Sequence, residues 1–127
     1  MRHLRAALPF LWLFVVGTNP LSAMTVKELK TNLRSPDQTI VKGAKLYLAG
    51  VAEGIMASNA GAEATAKVSL FCQPRLLSLN TDNFIEMINT YVTKLSDRAT
   101  KEKLEDFDVS TVLYNSLVDT FPCSEKK

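Results

Sequence analysis

Apolar residues return every three or four positions through most of the chain after Thr25, the spacing that marks one face of an α-helix. Thr25-Val26-Lys27-Glu28 reads as a capping box. It opens a short helix with Val26, Leu29 and Leu33 on one side, stopped by Arg34 and Ser35. Ser35-Pro36-Asp37-Gln38 is a second start signal, with serine at the cap, proline first in the helix and glutamine third. The helix it opens is predicted over 36–58 and buries Ile40, Ala44, Tyr47, Leu48, Val51 and Ile55.

Residues 59–67 are rich in alanine and glycine without periodicity, and read as a mobile surface loop. Val68 to Phe71 reads either as a helical turn or as an extended lead into Cys72. Residues 74–80 read as a connector with Leu76, Leu77 and Leu79 tucked under it. Asn80 or Thr81 caps the next helix, which carries Phe84, Ile85, Ile88, Tyr91, Val92 and Leu95 at helical spacing. The charge-dense run 96–106 reads as a solvated loop or short helix, its far end pinned by Leu104 and Phe107. Asp108 caps the last helix, where Val109, Val112, Leu113, Ser116, Leu117 and Thr120 face inward until Phe121-Pro122-Cys123 stops it. Apolar and polar residues never alternate for long, so no strand is required. The predicted fold is all-α, a small bundle of about four helices stapled by one disulfide.

The first residues change the picture. Arg2, His3 and Arg5 precede an apolar run from Ala6 to Val16, then Gly17-Thr18-Asn19-Pro20 and Leu21-Ser22-Ala23. This is the layout of a secretory signal peptide over 1–23, which leaves a single domain in 24–127. The run falls well short of the roughly 20 residues a membrane span needs, so no membrane segment is expected after cleavage. An uncleaved N-terminal anchor is the rival reading. Cleavage discards the chain's one histidine, His3, and its one tryptophan, Trp12. Without Arg2 and Arg5, the 15 Lys and Arg residues fall to the number of Asp and Glu, 13. A neutral domain gives a nucleic-acid partner no electrostatic footing.

Export also frames the two cysteines, Cys72 and Cys123. Each follows an aromatic residue closely and lies beside a proline, where a helix cannot simply run on. In an oxidising compartment they predict one structural disulfide, Cys72–Cys123, with a free reactive thiol as the alternative. The bond closes a loop of about 50 residues, worth roughly 4 kcal/mol in the chain-entropy model.

A histidine-free domain cannot build a Ser-His-Asp or Cys-His nucleophile, nor an ordinary zinc site. Glu53 and Glu86 remain as a carboxylate pair of the glycosidase kind, but both lie on amphipathic helices whose outer faces need charge. Gly43, Gly50 and Gly54 fall inside a helix, not at a phosphate-binding turn. They predict a close backbone approach there, by a neighbouring helix or a second copy of the chain. No enzymatic activity, cofactor or metal is expected, which leaves a binding or interaction protein.

Three segments carry a resemblance. Lys45-Leu46-Tyr47-Leu48-Ala49-Gly50-Val51-Ala52-Glu53-Gly54 resembles the Y-x-x-G-V-x-D-G helix of the Tai/Rap immunity proteins, with Glu53 where that family commonly has aspartate. Phe71-Cys72-Gln73-Pro74 is similar to the family's F-C-x-P, and Val112 to Cys123 is similar to its closing helix ending in F-P-C. The resemblance spans about Val41 to Cys123. It implies a periplasmic protein of type VI secretion that inhibits an injected peptidoglycan amidase by covering its active-site groove. Such proteins are helical, carry the disulfide and often dimerise, which puts a homodimer among the expected states. A small periplasmic acid-stress chaperone is the alternative, to be told apart by whether the fold survives strong acid.

A plug must reach into a concave site from irregular segments on a rigid scaffold, which points to 59–67 and 96–106. The second is favoured, since Asp97, Arg98, Lys101, Glu102 and Lys103 offer charges to a polar groove.

Overall fold

A computed structural model describes residues 23–95 and 101–123. Among these residues the chain folds as α-helices with one disulfide: α1 (Val26–Leu33), α2 (Gln38–Ala66), α3 (Thr81–Leu95), α4 (Lys101–Glu105) and α5 (Val109–Thr120). The signal peptide expected over 1–23 lies almost wholly outside them. No described helix is long and apolar enough to cross a membrane.

The start of α1 is the predicted capping box. The Thr25 hydroxyl accepts from Glu28 N–H at 3.2 Å, and the Glu28 carboxylate accepts from Thr25 N–H at 2.8 Å. The start of α2 differs from expectation, because Asp37 rather than Ser35 is the cap. Its carboxylate accepts from Thr39 N–H at 2.8 Å, while the Ser35 hydroxyl accepts from Asp37 N–H at 3.2 Å. Serine and aspartate are comparable caps, and Pro36 holds the approach between them.

The larger correction is at the other end of α2. Residues 59–66 are not a loop but the last two turns of the helix. Alanine is the best helix former, so the segment's alanines favour continuing the helix that the packed turns before them have begun. Its lack of periodicity reflects the absence of a covering element, and most of it is exposed. Lys67 ends it in the left-handed conformation, φ 58°, its N–H donating to Glu63 O.

The chain returns through 68–80 in extended and turn conformations. Phe71 is 1% exposed and enters the core. Asn80 and Asn83 then cap α3 reciprocally, each side-chain oxygen accepting from the other's N–H, at 2.9 and 3.0 Å. Leu104 on α4 is buried as expected, whereas Phe107 is largely exposed. Asp108 stands at the cap of α5 without a side-chain bond, and Thr120 turns out to solvent.

The buried side chains form one core: Val26 and Leu29 of α1, Leu48 of α2, Ile88 of α3, and Leu113 and Leu117 of α5 are at its centre. α5 packs against α3, α2 and α1. Ser116, buried on α5, donates to Leu113 O at 2.8 Å and so carries no unpaired hydroxyl into that core. An antiparallel bridge joins the chain before α1 to the chain before α5: Val26 N–H donates to Phe107 O at 3.0 Å and Val109 N–H to Met24 O at 2.9 Å. Ion pairs tie the surface, Lys30 to Glu105, Lys45 to Asp82 and Lys94 to Asp119.

Candidate functional site

The structure brings the two cysteines together as a Cys72–Cys123 disulfide, joining the connector after α2 to the end of α5. Cys72 N–H donates to Phe121 O at 2.8 Å beside it. From the α2 side, the Asn59 carboxamide oxygen accepts from Leu70 N–H at 2.6 Å and Phe71 N–H at 3.2 Å. Its amide donates to Phe71 O at 3.0 Å. Residues 70–72 are therefore held by a side-chain clamp, a buried aromatic ring and a covalent bond.

Immediately beyond this anchor the connector makes a turn. Leu77 N–H donates to Pro74 O at 3.0 Å, and the Gln73 amide donates to Leu77 O. Leu76, at its tip, is 101% exposed, and Leu77 is 41% exposed. Only Leu79 packs on the core, so the expectation that all three leucines tuck underneath is corrected. Arg75 and Leu76 are the central residues of the turn and stand on its outer side, whereas Leu79 lies next to the Asn80 cap and against the core.

The charged residues favoured from sequence fare differently. Asp97 and Arg98 lie outside the described residues. Lys101 and Glu102 open α4, and Lys103 on the same helix is exposed. Residues 101–105 are thus helical rather than irregular, with Leu104 fixed in the core and Glu105 paired to Lys30 at 3.2 Å.

Of the two approaches expected at the glycines, that of a neighbouring helix of the same chain is not found among the described residues. Gly43, Gly50 and Gly54 are exposed, and a Cβ at any of them would meet nothing within 4 Å. No backbone among the described residues approaches them. Gly50 and Gly54 instead border an open groove of about 590 Å³ between α2 and α5, lined also by Val51, Ile55, Leu70 and Tyr114.

Glu53 and Glu86 are both exposed, on α2 and α3. Among the described residues no group of three or more His, Cys, Asp or Glu side chains could hold a metal ion. The exposed large apolar side chains among the described residues include Leu46, Val68 and Leu76. No family of known proteins, no curated protein and no solved structure matches the chain.

Proposed function

We propose that the chain is a periplasmic immunity protein of the Tai/Rap type, which binds and inhibits a peptidoglycan amidase delivered by type VI secretion. The observation that carries this reading is the joining of its two cysteine motifs. Phe71-Cys72-Gln73-Pro74 and Phe121-Pro122-Cys123 lie far apart in sequence, yet they meet in a disulfide and a backbone hydrogen bond. A scaffold stapled in this way suits a protein that acts by presenting a fixed surface.

The test begins with the genes flanking this one: a peptidoglycan amidase found there is purified and assayed on isolated peptidoglycan with this chain added. Release of cleaved peptide should fall to background at equimolar inhibitor. Undiminished hydrolysis at a large molar excess ends the immunity reading.

A further inference from the structure

A carboxamide can accept from two backbone N–H groups while donating to a carbonyl, and Asn59 does all three at Leu70 and Phe71. What those bonds hold is the approach to a cysteine. Phe71 is 1% exposed, and the next residue, Cys72, donates its N–H to Phe121 O at 2.8 Å. The other cysteine is approached in the same manner. Phe121 packs on the core and donates its N–H to Leu117 O at 2.9 Å, and Pro122 restricts the backbone between it and Cys123. None of these contacts uses a sulfur atom. Both cysteine residues are exposed.

We infer that Asn59 is a positioning residue for the disulfide: in the reduced chain it holds Cys72 opposite Cys123, so the bond is made on a scaffold already folded. The co-reactant is a disulfide-carrying oxidant that reaches the exposed pair from solvent. One cysteine thiolate attacks a sulfur of that disulfide, forming a mixed disulfide and releasing the carrier's other sulfur as a thiolate. The second cysteine thiolate attacks the cysteine sulfur of the mixed bond, which closes Cys72–Cys123 and frees the rest of the carrier. The carrier gains two electrons and takes up the two protons that the cysteines lost. The equilibrium favours the bond in proportion to how often the reduced chain brings its two sulfurs together, and the clamp raises that frequency. By linkage, Asn59 stabilises the reduced chain more than the oxidised one. This role is independent of the immunity reading.

The experiment equilibrates the full mature chain with glutathione and glutathione disulfide under native conditions, and reads the bonded fraction by alkylation and intact mass. Asn59→Ala should lower the equilibrium constant for the bond by about 10-fold. Asn59→Asp keeps both accepting bonds and loses only the donating one, so it should recover most of that loss. Thr25→Ala removes the remote cap of α1 and should lower the denaturation midpoint while leaving the constant unchanged. That contrast separates positioning of the cysteines from support of the fold at large.

An unchanged constant in Asn59→Ala overturns the proposal, as does an equal fall in Thr25→Ala. A reduced parent chain without cooperative unfolding overturns it too, since the bond would then make the fold rather than complete it. Should Asn59→Ala not fold when reduced, Asn59→Asp decides. A folded Asn59→Asp chain with a constant within a few-fold of the parent's upholds the clamp. Loss of folding in that variant as well assigns Asn59 to the fold as a whole and overturns its special role at the cysteines.

Discussion

Asn59 sits where the hydrophobic pattern of α2 gives out, and its one side chain closes three hydrogen bonds onto the chain as it returns through Leu70 and Phe71. Both N–H groups and the carbonyl would otherwise need other partners, and the Phe71 ring beside them is in the core. With each bond worth about 0.5–1.5 kcal/mol net, Asn59→Ala should lower stability by about 2 kcal/mol, measured by urea denaturation. Lys67 presents the opposite case. Its φ of 58° is a conformation that glycine adopts more readily than lysine. Lys67→Gly should therefore raise stability by up to about 1 kcal/mol in the same assay. A loss there would mean that the lysine stem contributes more than its backbone costs.

Within α2 the glycines now read differently. With open space at each Cβ, Gly43→Ala and Gly54→Ala should each stabilise the helix by about 0.5–1 kcal/mol, raising the thermal midpoint by a few degrees. Unchanged or lowered midpoints would return a close-packing role to these positions. The same helix shows what a sequence can and cannot disclose. Ala44 and Leu48 of its core stripe, the cap of α1 and most of the inward faces of α3 and α5 were legible, because burial imposes a period on residue type. Ala52 was not picked out, and Ile40, read as inward, is exposed. The extension through 59–66 was not legible, because a helix end that is mostly exposed, and held on its one covered side by Asn59, shows no apolar period to read. The turn at 74–77 was missed for a related reason. Three leucines suggest burial, but Leu76 falls at the centre of the turn closed by Leu77 N–H on Pro74 O and is exposed.

At the scale of the whole molecule, the Cys72–Cys123 bond spans a sequence separation of 51 and secures the connector to the last helix. Replacing both cysteines by serine should lower stability by roughly 4 kcal/mol in the chain-entropy model, seen as a lower denaturation midpoint. The effect should vanish when parent and variant are compared under reducing conditions. An unchanged gap in reductant would assign it to the serines instead.

The small bridge between 24–26 and 107–109 sets the order in which this molecule can be built. The first helix finds its cap at once, since Thr25 and Glu28 are neighbours, but Val26 and Leu29 complete their packing only with α5. On a ribosome or emerging from a translocation pore, the earliest residues must wait for nearly the latest ones. Closing so distant a contact is slow relative to forming the helices themselves. Until α5 is made, the nascent chain is therefore expected to have its core unclosed and its short helices only partly formed. Any shortened chain that stops before Val109 stays at that stage, a substrate for proteases rather than a smaller version of the fold.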